Sequence, residues 1–368
     1  MQPSPRFQFA QEAFGDRAVR TVRRNATAIA VGAGLLSLVT LAADRAQAQV
    51  TFSGFDPGQV YDVGLNPSVT IYNGTVVEVH NLTARVGELW YRVGTVNGST
   101  ISWNAPHQYD TGFNPSVAMT GTTVIEVHNG GSGPGPLWYR VGTVDGSTIS
   151  WSNSQKYDEH GFNPSIAVAG STVVEVHNGG AGTGPLWYRM GNVNGTSVSW
   201  NDSHQFDSFS TNPSVAAYPC VATPVSTPPV VMTCVLEVHN SNNAPGPLWY
   251  RQGQSNNGST ISWQAPAIYD AGWNPKISSS FDGVLEVHNG QAGVGPLSYH
   301  SGATQNVAGA LQSPAIQYDS GNNPSVAIGS TAPLGCTTAI EVHNGGADPG
   351  PVWYHVGPYK CPVVLNRH

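Results

Sequence analysis

Six times along the chain a glutamate stands two residues before a histidine, in Val-Glu-Val-His-Asn or a near copy of it. The pairs are Glu78/His80, Glu126/His128, Glu175/His177, Glu237/His239, Glu286/His288 and Glu341/His343. In a strand, residues two apart share a face, so each carboxylate lies beside its imidazole. Such a pair can form a structural hydrogen-bond ladder, contact a ligand, or start a metal centre. One Glu and one His per unit lack a third metal ligand, so no metal and no cofactor are expected. A buried carboxylate must find donors. The Tyr-Asp pairs that also recur, from Tyr61-Asp62 to Tyr318-Asp319, are the expected partners.

Aromatic residues keep step with these pairs. Trp90, Trp138, Trp187, Trp249 and Trp353 occupy a Leu-Trp-Tyr-like triplet, and Trp103, Trp151, Trp200 and Trp263 occupy a Ser-Trp pair. In Leu-Trp-Tyr-Arg the Trp and the Arg share one strand face. A flat apolar ring ringed by hydrogen-bonding groups suits a sugar, which has an apolar face and polar edges. The expected carbohydrate contacts are Glu78, His80, Trp90 and Arg92; Glu126, His128, Trp138, Arg140 and Trp151; Glu175, His177, Trp187, Arg189 and Trp200; and Trp249 and Arg251. The Ser-Trp set fits packing better than binding. In the fifth unit Ser298 replaces Trp and His300 replaces Arg, so that unit is expected to be silent.

A glycosidase needs two carboxylates placed asymmetrically at one centre. Twelve of the 19 acids after residue 48 belong to the repeated Glu and Asp positions, and those left over fall mostly in turns. No Ser-His-Asp grouping, phosphate loop or HExxH motif appears. The expectation is therefore binding without catalysis, with a glycoside hydrolase or lyase, or a protein-adhesion module, as the alternatives.

The elements that must carry these residues follow from the period. Asn-Pro begins at Asn66, Asn114, Asn163, Asn212, Asn274 and Asn323, spacings of 48, 49, 49, 62 and 49 that mark a repeat architecture. Each unit holds four short β-branched or aromatic runs separated by Gly, Asn or Pro. This pattern predicts an all-β fold, a single six-bladed β-propeller of four-stranded antiparallel blades over residues 49–368. The last unit stops without its final strand, and Val50-Thr51-Phe52 with Tyr61-Asp62 supplies the missing piece. The ring is thus expected to be closed by the N-terminal strand, leaving no open edge. Units four and six are longer between their first two strands.

Residues 1–48 differ in kind. Four arginines (Arg17, Arg20, Arg23, Arg24) precede an apolar run and then Ala46-Gln47-Ala48, the pattern of a secretory signal peptide. The adjacent Arg23-Arg24 also allows twin-arginine export. The remaining chain has 9 basic and 19 acidic residues, a balance that disfavours nucleic acid and an anionic membrane surface. A secreted or periplasmic location, without membrane insertion, is expected. Four cysteines in an exported chain suggest disulfides, Cys220 with Cys234 across the Pro-rich insertion and Cys336 with Cys361.

Tyr109 to Val117 (Tyr-Asp-x-Gly-x-Asn-Pro-Ser-Val), together with Val-Glu-Val-His and Leu-Trp-Tyr-Arg-Val-Gly, resembles the bacterial propeller lectins of the Photorhabdus fucose-binding type. The resemblance runs over nearly all of the chain after the signal. It implies a secreted, multivalent lectin with sites between adjacent blades and fucose-like or O-methylated sugars or glycoconjugates as partners. That family has seven blades, whereas this chain has six units.

Overall fold

The computed structural model describes residues 52–359, apart from residue 85 and residues 222–229, 332–335 and 347–348. Residues 1–48, expected to be a signal peptide, Cys361 and most of the Pro-rich insertion lie outside the described residues.

Each unit contributes one long strand and two partners. The long strands are β1 (Gln59–Tyr72), β5 (His107–Thr120), β9 (Gln155–Ala169), β13 (His204–Val221), β17 (Ala267–Ser279) and β20 (Ile316–Thr331). The Glu-x-His strands are β2 (Thr75–Asn81), β6 (Thr123–Asn129), β10 (Thr172–Asn178), β14 (Val231–Asn240), β18 (Gly283–Asn289) and β21 (Cys336–Asn344). The Trp-Tyr strands are β3 (Gly87–Asn97), β7 (Gly135–Asp145), β11 (Gly184–Asn194), β15 (Gly246–Ser255), β19 (Gly295–Ala303) and β22 (Gly350–Pro358). Four short strands carry the Ser-Trp pair: β4 (Thr100–Trp103), β8 (Thr148–Trp151), β12 (Ser197–Trp200) and β16 (Ser262–Trp263). In unit five a helical turn with α1 (Val307–Leu311) takes the place of that short strand.

The pairing corrects the expected fold. Six separate four-stranded propeller blades are not formed, because every long strand belongs to two neighbouring units. The first half of β5, His107 to Gly112, pairs with β3, and its second half, Phe113 to Thr120, pairs with β6. Following such antiparallel pairs from β1 to β22, and from β22 back to β1, gives one closed barrel of 18 strands. The four Ser-Trp strands hang from it as spurs. At the seam Gln59 to Gly64 pairs with Tyr354 to Gly350, and Phe52 bridges to Tyr359.

The reason lies in Asn-Pro. That dipeptide reads as a strand break, because proline donates no hydrogen bond and restricts its predecessor. Here each Asn takes φ near +50° and the strand kinks but continues, with a register shift where Asn and Pro sit. Asparagine tolerates this left-handed geometry better than most residues. The six side chains meet around the axis. Asn66 Nδ2 donates to Asn114 Oδ1 (2.6 Å), Asn114 donates to Asn163, and Asn323 donates back to Asn66 (2.7 Å). Behind them the backbone N–H of five of the six is accepted by an Asn that ends a Glu-x-His strand, as Asn114 N by Asn81 Oδ1 at 3.0 Å. Asn114→Ala combines backbone strain with lost bonds, whereas Asn114→Gly loses only the bonds. Glycine should therefore remain the more stable of the two, by about 1 kcal/mol. Equal destabilisation in thermal unfolding would show that the left-handed backbone does not matter.

The axis encloses a polar cavity of about 310 Å³. Five units line it with serines whose hydroxyls accept a neighbouring backbone N–H, as Ser68 Oγ from Val117 N at 3.2 Å. Unit five has Lys276 instead, and burial pushes its ammonium down to about 8. A cation whose folded pKa is lowered costs stability while protonated, and that cost falls as pH rises through about 8. Lys276→Ser should therefore unfold at a higher temperature than the wild type at pH 7. The gap should shrink under alkaline conditions; an unchanged gap would rule out the ammonium as its cause.

The hydrophobic core is divided among the units. Val77, Val79, Leu89 and Tyr91 form one cluster with Val117 and Ile149 of the next unit, and the pattern recurs around the ring. The tyrosine of Leu-Trp-Tyr ties units together. Tyr91 Oη accepts the Ile149 N–H at 3.0 Å, and Tyr188 Oη accepts that of Ile261 at 3.1 Å. The insertion in unit four is clamped by the Cys220–Cys234 disulfide, Cα atoms 5.7 Å apart. The Cys336–Cys361 pairing falls outside the described residues.

Candidate functional site

Three strands build each candidate site. In unit two Glu126 and His128 come from β6, Arg140 from β7, and Asp110 from the first half of β5, where it still belongs to the preceding unit. The site therefore spans the crossing between two units. Glu and His of the repeated pairs are buried in all six units. His128 Nδ1 lies 3.0 Å from Glu126 Oε2, and the other pairs repeat this at 2.9 to 3.1 Å. In units three and five a phenol completes the carboxylate's shell: Tyr157 Oη donates to Glu175 at 2.9 Å and Tyr269 Oη to Glu286 at 2.8 Å. Burial and then the nearby Glu charge hold the phenols of Tyr61, Tyr109, Tyr157, Tyr269 and Tyr318 well above their ordinary range, so they stay neutral. Burial pushes His80 and His128 down, but the adjoining Glu pushes them up further, and the net direction is up.

The glycine of Tyr-Asp-x-Gly is required by this packing. A Cβ on Gly112 would stand 2.5 Å from His128 Cδ2.

Above the buried pair lies an ion pair with partial access to solvent. Arg140 Nε donates to Asp110 Oδ2 at 2.5 Å and its Nη1 to the Ser152 carbonyl at 3.0 Å. Arg92 with Asp62, and Arg189 with Asp158, repeat the arrangement. In unit four Arg251 reaches Asp207 through Nη2 at 2.6 Å and lies over the Phe206 ring. These arginine and aspartate side chains are 14 to 20% exposed. Burial would raise Asp110 and Asp207, but hydrogen bonds from Arg140 and Arg251, bonds from backbone N–H groups and the charge of the nearby histidine together outweigh it and hold both carboxyls below the usual range.

Trp90, Trp138, Trp187 and Trp249 are half-buried, on the same strand face as the arginine two residues on. The Ser-Trp indoles are half-buried too, but they stack on ring neighbours. Trp151 stacks on Tyr109 and Trp200 on Tyr157, ring centroids 5.1 and 4.9 Å apart. Of the residues expected to meet a ligand, the Trp-Arg set reaches the surface, and the Glu-His set lies beneath as its support. The aspartates, expected as partners of Glu and His, pair in units one to four with the arginine, 30 to 44 residues away in sequence, and only its charge offers a signal.

Units five and six depart from this plan. His300 and His355 replace the arginine. His300 Nε2 stands 2.8 Å from Asp270 Oδ2, and His288 Nε2 stands 3.7 Å from the same oxygen. In unit six the corresponding distances to Asp319 Oδ2 are 2.7 Å from His355 and 3.9 Å from His343. In both clusters one atom from each of the three residues lies within 4.8 Å of the others. Asp270 and Asp319 are 30 and 34% exposed, about twice the value of their counterparts in the arginine units.

No protein family matches the sequence, and no curated protein does. Among solved structures, a Trypanosoma rangeli sialidase in complex with the inhibitor DANA is similar over 80% of this chain and 55% of its own, at 8% identity and a TM-score of 0.47. The chain thus spans about half the length of that enzyme. A Dyadobacter fermentans protein of unknown function is similar over 85% of this chain and 100% of its own, at 10% identity and a TM-score of 0.50. A polysaccharide lyase, a PL25 ulvan lyase, is similar over 82% and 95%, at 10% identity and a TM-score of 0.37. At these identities the likeness concerns the fold. The expectation of binding without catalysis is not retained. The physical reason lies in the two histidine units. The case against an active site rested on sixfold equivalence, and that equivalence is broken there.

Proposed function

We propose that the chain binds carbohydrate on its ring of Trp-Arg faces and processes it as a glycoside hydrolase or lyase. One observation carries this reading. An aromatic face beside an accessible Asp-Arg pair recurs in units one to four, and two adjacent units replace it with a more open Asp-His-His group. The first set offers apolar platforms and charge-assisted hydrogen bonds suited to a sugar's two kinds of surface. The second sets two neighbouring places apart from the rest of the ring, the asymmetry that a reaction needs. Several weak binding faces on one ring would hold a long or clustered glycan by avidity. The resemblance to Photorhabdus-type lectins nominates fucose-like and O-methylated sugars as the first ligands to try. The disulfide supports a secreted or periplasmic location. Among the described residues no helix is long and apolar enough to cross a membrane.

A panel of neutral, sulfated and uronate-bearing polysaccharides tests the proposal, with products followed as new reducing ends and as the ultraviolet absorbance of an unsaturated uronate. Either signal supports processing. Binding to a member of the panel with no product from any of them would reduce the protein to a lectin. Neither binding nor product would remove carbohydrate from the account.

A further inference from the structure

We propose that the Asp-His-His clusters of units five and six, Asp270/His288/His300 and Asp319/His343/His355, are two binding sites for a divalent transition-metal ion of the zinc class. The inference rests on the side-chain geometry and not on the carbohydrate reading.

The argument begins with charge. In units one to four the aspartate and the buried Glu-His pair face an arginine, whose guanidinium supplies a fixed positive charge. Units five and six keep both carboxylates and lose that cation. A bound metal ion restores the balance in the same place.

Hydrogen-bonding roles point the same way. In unit six His355 Nδ1 is 2.6 Å from the Asp56 carbonyl oxygen, which can only accept, so Nδ1 carries the proton. Its Nε2 lies 2.7 Å from Asp319 Oδ2, a second acceptor, so the place between them calls for positive charge, supplied by a proton on Nε2 or by a metal ion. His343 is set the same way: Glu341 Oε2 holds its Nδ1 at 3.1 Å and leaves Nε2 turned to Asp319. Carboxylates and carbonyls that fix the outer nitrogen of a histidine are the usual support of a metal ligand. In unit five Glu286 holds His288 in this way, and the buried His300 Nδ1 has no hydrogen-bond partner among the described residues.

The distances fit. Around zinc, with ligands at about 2.0–2.1 Å, neighbouring donors of a tetrahedron stand roughly 3.3 Å apart. The aspartate-to-histidine separations, 2.8 and 3.7 Å in unit five and 2.7 and 3.9 Å in unit six, bracket that value. Two imidazoles and one carboxylate suit zinc and its neighbours better than calcium or magnesium, which prefer oxygen. Three protein ligands with a partly exposed aspartate leave a coordination position for water or substrate. Space beside unit six is kept by Gly58, where a Cβ would lie 2.9 Å from His355 Nε2 and 3.2 Å from Asp319 Oδ2.

The test is zinc titration of the chelator-stripped chain, with metal content measured after gel filtration and cobalt substitution read by its visible absorption. Arginine already fills the equivalent place in four units, so His300→Arg and His355→Arg should fold, and thermal unfolding verifies this. The expected result is two zinc ions per wild-type chain, one in each single variant and none in the double variant. Less than one ion per wild-type chain means that protons alone balance the charge, and overturns the proposal. Two ions retained by the double variant overturns it as well. One ion lost with only one of the variants removes the assignment from the other cluster.

Discussion

Glu175→Ala is expected to lower the unfolding free energy by about 3–5 kcal/mol, the usual cost of removing one partner from a buried charged pair. Glu175 is fully buried and accepts from both Tyr157 and His177. Truncation leaves a phenol and an imidazole without an acceptor in an interior that water does not reach. Lys156→Ala is the control. Its ion pair with Glu159 joins side chains 40 and 70% exposed, and breaking such a pair usually changes stability by less than about 1 kcal/mol. Chemical denaturation of the two variants makes the comparison. Should Glu175→Ala unfold with the same midpoint as Lys156→Ala, the buried ladder would not be holding the units together.

The second large effect concerns the surface. Trp138→Ala is expected to weaken carbohydrate binding tenfold or more, since loss of a central aromatic contact commonly costs about 2 kcal/mol and each 1.4 kcal/mol is a factor of ten. Trp138 is half-buried, so stability should fall much less than affinity. Trp151→Ala should behave in the opposite way, because that indole stacks on Tyr109 within the ring. Calorimetry with a sugar found on the panel, beside thermal unfolding, separates the two effects. If Trp151→Ala abolished binding while Trp138→Ala left it intact, the sugar face would have been placed on the wrong tryptophans.

Which features were legible in the sequence follows from the range over which each is encoded. Val-Glu-Val-His announces a strand by alternation alone, and the Gly and Asn residues around it mark the turns, so all-β structure in six units could be read locally. The division of the sheet could not. Asn-Pro normally ends a strand, and only the ring of asparagines, each bonded to one about fifty residues away, shows why the chain runs on. The buried position of Glu and His also follows from neighbours: their face is covered by the long strand of the same unit. The Arg-Asp pairs join residues about thirty apart, and nothing local connects them. His300 is visible as a departure from the repeat, which by itself reads as decay. His355 makes the same departure in the next unit, and two adjacent departures of one kind amount to a pattern. What the sequence withheld was that Asp270 and Asp319 face them.

The most direct test of the account is a product time course on the most responsive polysaccharide of the panel, comparing wild type with the double variant Asp270→Asn/Asp319→Asn. Release of new chain ends by wild type, and its loss in a folded double variant that still binds the polysaccharide, is the predicted result. Equal rates from both proteins, or no product from either, would contradict the claim that the two histidine units are where carbohydrate is transformed.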